Sequence, residues 1–254
     1  MTTTIAIACH AGGVGKTTTT LALAGMLSQT PVDVLTIDMD PQASLTRTTE
    51  SDLRPRGNDV ITTDALLTGR MHLLDSLAHE VTEVTTARDD GAWGVIPASM
   101  RLQETAAWMQ LQTITHDHLS DALDDVDEWD AILIDCPPAA DLLTINALCA
   151  ADYVIVPVIP EPKGLDGLSR MIELVYWLNS KRVSHARILG MVITQMDSRT
   201  KGHQAGVLDL QRTGVPVLAE IPMAKGQDAD AKLRHAYQPL VTAVLDRIQE
   251  ARHA

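Results

Sequence analysis

The stretch CHAGGVGKTTTT, residues 9–20, does most to limit how this chain can fold. It joins an apolar β-rich run, TTTIAIAC (2–9), to a helical segment, KTTTTLALAGMLSQ (16–29). A glycine loop between a strand and a helix can turn several backbone N–H groups inward, and the helix N-terminus adds positive potential. Polyphosphate suits that environment, so Gly12, Gly13, Val14, Gly15, Lys16, Thr17 and Thr18 are candidate binding residues. Lys16 is placed to neutralise β- and γ-phosphates and the Thr17 hydroxyl to ligate Mg²⁺. The common pattern, G-x-x-x-x-G-K-[ST], wants its first glycine at position 10, where this chain has His10.

Such a loop belongs at the edge of a parallel sheet, and the remaining chain agrees. DVLTID (33–38), WGVIPA (93–98), AILIDCPP (131–138), DYVIVPV (152–158), RILGMVITQMD (187–197) and VPVLAEIP (215–222) read as buried strands separated by helical patterns. Continuous Ile/Val/Leu runs alternating with helices imply an α/β fold with a doubly wound, mostly parallel sheet flanked by helices. Residues 47–92 are the least legible part of the chain, polar and threonine-rich, with an acidic turn at Asp89-Asp90-Gly91. The end, QPLVTAVLDRIQEARHA, reads as an amphipathic helix packed on the sheet. It lacks the dense basic face of a membrane-surface helix.

In sheets of this kind ligands gather at the carboxyl ends of the strands. Asp38, Asp40 and Asp135 all lie at such ends. Asp135 closes ILID, as an aspartate does that holds the Mg²⁺ shell through water. Asp38 and Asp40 end the neighbouring strand, where one can direct a water at the γ-phosphate; a simple turn before Pro41 is the other reading of Asp38. TQMD (194–197) is similar to the T-K-x-D motif that reads guanine, but Gln195 stands in the lysine place, which favours adenine. Asp197 is expected near the base on either reading, and Pro222, closing the last strand, joins the nucleotide-binding candidates.

Composition narrows the class further. With 45% of 254 residues hydrophobic the chain can bury one sizeable core, and no apolar run approaches the roughly 20 residues that span a bilayer. Met1-Thr2-Thr3-Thr4 lacks the basic start of a secretory signal. Cys9, Cys136 and Cys149 form no C-x-x-C pair, which reads as reduced core thiols in a cytosolic protein and provides no iron–sulfur ligand set. The histidines show no metal spacing, and His116-Asp117-His118 reads as a solvated helix start. Net charge is −13 but unevenly spread: residues 1–162 hold 7 Lys/Arg against 24 Asp/Glu, and residues 163–254 hold 13 against 9. Chance scatter and a basic face confined to the last third both fit that asymmetry.

Taken together these segments resemble the ParA/MinD family of deviant-Walker ATPases, whose loop reads K-G-G-x-G-K-[ST] and needs no glycine at position 10. IDMDPQAS, GVIPAS, GLDGLSRMIELV and the span WDAILIDCPPAADLLTINALCAADYVIVPV all fit, and small ParA/Soj-type partition ATPases match best. The resemblance implies one ATPase domain over 1–254, with no N-terminal DNA-binding domain because the loop begins near residue 11. It implies ATP and Mg²⁺ as cofactors, slow hydrolysis, an ATP-dependent homodimer and non-specific DNA binding by a cytoplasmic, nucleoid-associated protein. A ParB-like or cargo-adaptor partner then stimulates hydrolysis, so that a plasmid, chromosome origin or protein cargo is positioned. The candidate DNA contacts are Arg199, Lys201 and Lys225, although PMAKGQ lacks the family's arginine run. A carboxysome-positioning branch, a MinD-like membrane ATPase and a protein-only scaffold are the alternatives, the MinD-like one disfavoured by the C-terminus.

One departure stands out. The family's signature lysine, which reaches across the dimer to the partner's phosphates, is replaced by Ala11. Lys163, in the loop IPEPKG at the same sheet edge, is the candidate substitute, with an ordinary solvated lysine as the other reading. On the first reading, Ala11→Lys rebuilds the family's own bond to phosphate.

Overall fold

Each strand of the sheet's centre is buried along its whole length, because helices cover both faces. The computed structural model describes residues 1–50, 53–55, 61–69, 82–84, 91–112, 116–124, 126–224 and 229–253. The strands are β1 (Thr3–Ile7), β2 (Val34–Asp38), β3 (Leu53–Pro55), β4 (Thr82–Val84), β5 (Trp93–Ile96), β6 (Ala131–Asp135), β7 (Tyr153–Val158), β8 (Arg187–Met196) and β9 (Val217–Pro222). They form one sheet in the order β3-β4-β5-β2-β6-β1-β7-β8-β9. From β5 to β9 every neighbouring pair is parallel, giving seven parallel strands; β3–β4 and β4–β5 are antiparallel.

The described helices are α1 (Lys16–Leu27), α2 (Ser44–Thr49), α3 (Thr63–Leu67), α4 (Leu102–Met109), α5 (His118–Leu123), α6 (Leu142–Ala150), α7 (Pro162–Ser180), α8 (Lys201–Gln211) and α9 (Ala229–His253). Successive strand residues point to opposite faces, so β1 splits its side chains between two cores. Ile5 and Ile7 meet Leu23, Leu27, Leu240 and Val244 of α1 and α9 on one face. Ala6 lies in the other core with Leu143 and Leu148 of α6 and with Leu168 and Met171 of α7. No helix among the described residues is long and apolar enough to cross a membrane.

β3 and β4 fall in the least legible segment, residues 47–92, because three-residue strands are too short to display a period-2 pattern. Two expectations need correction. The last helix begins at Ala229 rather than near residue 238 and carries Pro239 in its interior. Pro239 is exposed, so the carbonyl its missing N–H leaves free can take water, while Tyr237, Leu240, Val241, Val244 and Ile248 keep the buried stripe continuous. His118 does open a helix, but it is only partly exposed: its Nε2 is buried with no partner among the described residues, and its ring lies 5.6 Å from that of Trp108. The three cysteines are free and buried as expected, with burial pushing the Cys9 and Cys149 thiols up to about 11 and Cys136 higher still.

Candidate functional site

The glycine loop leaves β1 and enters α1 through two left-handed residues, Gly13 at φ 74° and Gly15 at φ 85°. Side chains rarely adopt that backbone, which explains glycine at both places. Three loop carbonyls are held by side chains. Lys16 Nζ donates to Ala11 O at 2.9 Å, Gln195 Nε2 to Gly13 O at 2.6 Å and Thr194 Oγ1 to Val14 O at 2.8 Å. Above the loop opens a cleft of about 830 Å³, lined by Gly12 through Thr18 with Asp40, Ser44, Thr48, Pro138 and Gln195. That volume suits a nucleotide-sized ligand.

Lys16 is only 7% exposed. Burial pulls its pKa below the usual lysine range, opposed by the Cys9 and Cys136 thiols and by Asp135 and Asp40. An anion beside the ammonium would offset that burial. Asp135 is fully buried at the end of β6 and accepts from Thr17 Oγ1 at 2.7 Å and Thr20 Oγ1 at 3.3 Å. Burial pushes its carboxyl up to about 7; the Thr17 hydrogen bond opposes this, and the charge of Asp38, its register partner, adds to it. A hydroxyl and a carboxylate in contact form an all-oxygen donor set, which fits a hard cation such as Mg²⁺. Thr17 would hold it directly and Asp135 through water.

The two aspartates after β2 part company. Asp38 is fully buried, accepting from the Thr46 N–H and hydroxyl and from the Asp40 N–H, which fastens α2 to the sheet. It does not line the cleft, whereas Asp40 does. Asp40 Oδ1 also accepts from the Gln42 N–H at 2.9 Å, an Asx turn that fixes its carboxylate at the cleft mouth. Of the two, Asp40 is thus the aspartate that faces the cleft.

Asp197 and Pro222 stand together at the ends of β8 and β9, where Met196 pairs with Pro222. Asp197 is engaged by Arg199, whose Nε and Nη2 both donate at 2.9 Å, and that fork lowers its pKa to about 2. A base reader and a DNA contact predicted separately are therefore partners of each other. Lys201 is the exposed first residue of α8. Lys225 lies outside the described residues.

Lys163 is not in a loop: Pro162 is pre-set for a first helical turn, so Lys163 sits exposed in the opening turn of α7. Its charge acts on Cys9, beside the start of the phosphate loop, but it does not line the cleft. Ala11 is 8% exposed and packs on the same helix; a Cβ added at Gly167 would stand 3.3 Å from the Ala11 Cβ. Ala11 thus packs on α7, and a lysine in its place would start against Gly167 rather than in the cleft.

Sequence reasoning passes over Ser44, Thr48, Pro138 and Thr194. Ser44 and Thr48 lie four residues apart on one face of α2, a signal readable only once that short helix is known. Gln195 speaks in the sequence only of the base it admits, and not of its grip on the loop.

A family model described as an AAA domain matches residues 2–188. The chromosome-partitioning ATPase Soj of Thermus thermophilus is 33% identical, with 97% of each chain covered. The sporulation initiation inhibitor protein Soj of Bacillus subtilis is 35% identical over 77% of this chain and 74% of its own. Among solved structures, cobyrinic acid a,c-diamide synthase from Mycobacterium smegmatis, with bound ATP analogue and magnesium, superposes with a TM-score of 0.81 at 29% identity. That alignment covers 99% of this chain and 97% of the synthase. The cofactors are accordingly ATP and Mg²⁺, and the glycine loop with Lys16, Thr17 and Asp135 is the part of the chain whose chemistry suits them. By its fold, its nucleotide cleft and these relatives, the chain belongs to the ParA/Soj family of P-loop ATPases.

Proposed function

We propose that this ATPase is a partition-type nucleotide switch. ATP binding closes two copies face to face, and the dimer holds duplex DNA without reading its sequence. Slow hydrolysis, stimulated by a ParB-like or cargo-adaptor protein, releases it. The cargo is a plasmid, a chromosome origin or a protein assembly carried over the nucleoid in the cytoplasm. One observation carries this reading: the phosphate cleft is open at a sheet edge that also bears exposed Lys163 and Lys201, each in the first turn of a helix. Helix N-termini add positive potential beside both cations, which favours phosphate at each. Lys163 serves phosphate across the dimer and Lys201 serves the DNA backbone, with Arg199 beside it and Lys225 further along.

In this scheme Asp40 orients the attacking water and does not hold phosphate. Asp40→Ala should leave ATP affinity within about threefold of wild type while lowering turnover by roughly 10²-fold or more, the scale of a general-base or water-positioning residue. Titration calorimetry and steady-state phosphate release check it, and unchanged turnover would remove Asp40 from the mechanism.

DNA retention should require ATP and fall steeply with salt, because each neutralised phosphate releases counterions. Lys201→Glu should weaken it on every duplex and lessen the salt slope by about one for each phosphate no longer neutralised. It is a cleaner probe than Arg199→Glu, which would also set a second carboxylate against Asp197. No retention of random duplex even at low salt would favour a protein-only scaffold, and retention that is equal with and without ATP would separate DNA binding from the nucleotide switch. A synthase, such as the solved relative is named, would likewise show no ATP-dependent retention.

A further inference from the structure

We infer that Gln195 is a positioning residue of the phosphate loop, an assignment that rests on the cleft being the nucleotide site. Between the pairs Ile193–Glu220 and Met196–Pro222, β8 advances three residues while β9 advances two. The extra residue makes a β-bulge, a device that re-aims a side chain near a site. Gln195 occupies it in the left-handed region, φ 53°, which a residue with a side chain rarely adopts. The outcome is a carboxamide turned onto the loop, with Nε2 donating to Gly13 O at 2.6 Å.

The consequence follows from the geometry of the peptide group. In a trans peptide the carbonyl oxygen and the next residue's N–H point in opposite directions. Holding Gly13 O towards β8 therefore aims the Val14 N–H away from β8, into the loop's concave side. Thr194, bonded to Val14 O at 2.8 Å, does the same for the Gly15 N–H. Thr194 is buried, and its hydroxyl also lies 3.2 Å from Val158 O, so it belongs to the sheet's own packing. Gln195 is exposed, and its hydrogen bond competes with water. An exposed bond from a strained residue adds little to the fold. What it does is fix one phosphate-facing N–H before ligand arrives.

Gln195→Gly separates the two roles, since glycine relieves the left-handed backbone and deletes the donor. In the full chain with Mg²⁺, ATP and ADP should both bind roughly tenfold more weakly, the loss expected for one pre-oriented charge-assisted hydrogen bond. The thermal midpoint of the nucleotide-free protein should stay or rise. Gln195→Lys, which keeps a donor long enough to reach Gly13 O, should recover affinity to within about threefold, and Gln195→Glu, which has no donor and repels phosphate, should bind more weakly than the glycine variant. Gln195→Gly binding both nucleotides within about twofold of wild type would overturn the assignment. So would a loss of affinity that appears only with a lowered midpoint. Wild-type protein that bound neither nucleotide would instead overturn the nucleotide site itself.

Discussion

Lys16→Ala is expected to abolish Mg-ATP binding at any concentration practical in titration calorimetry. Lys16 is the one charged side chain of the loop that enters the cleft lining, and its ammonium is already largely desolvated. Its cost of burial is therefore met before ligand arrives. Two charge-assisted hydrogen bonds, one each to β- and γ-phosphate, contribute about 3–6 kcal/mol, so their loss weakens binding by roughly 10²- to 10⁴-fold. The truncation also leaves Ala11 O without its donor, which makes a folding defect the obvious confusion. Lys16→Gln separates the two, because a carboxamide can still donate to Ala11 O but brings no charge to phosphate. The glutamine variant should melt like wild type and still fail to bind ATP. Binding of wild-type strength in either variant would put the phosphates elsewhere.

How much of this is legible depends on the kind of signal each residue emits. The seven parallel strands appear within about three residues of where their apolar runs place them, since a strand covered on both faces has no polar alternation to confuse its limits. The loop and Asp135 are legible for a related reason: their chemistry is local in sequence and lies at strand ends. What escapes depends on pairing between distant segments. Nothing in the order of residues says that Thr46 takes up Asp38, that Arg199 closes on Asp197, or that a bulge turns Gln195 onto Gly13. Pro239 misleads in the opposite sense, because a proline suggests a boundary where an exposed turn of α9 simply tolerates it. Ala11 is the sharpest case. Its neutral side chain reads as a missing charge, whereas in the fold it packs against Gly167.

A dimer closed by ATP, as proposed, would then need its cation from elsewhere, and Lys163→Ala should show where. Lys163 is exposed, lies outside the cleft lining and opens a helix, where a cation opposes the helix dipole. Removing it should leave the monomer at least as stable and its ATP affinity unchanged, so the measurement isolates assembly. If Lys163 donates to phosphate across a partly dehydrated interface, that bond is worth about 1.5–3 kcal/mol. ATP-dependent dimerisation should weaken roughly 10- to 150-fold, at about 1.4 kcal/mol per decade. Analytical ultracentrifugation of the ATP complex, run with Asp40→Ala in the background to suppress turnover, reads this directly. Lys163→Arg should retain most of the dimer, and Lys163→Glu should lose more than the alanine variant through repulsion of phosphate. Ala11→Lys should not rescue Lys163→Ala, because its side chain starts against Gly167 and has to displace α7 before it reaches solvent. A Lys163→Ala protein that dimerises normally with ATP would return Lys163 to an ordinary surface lysine and leave the interface charge to another residue.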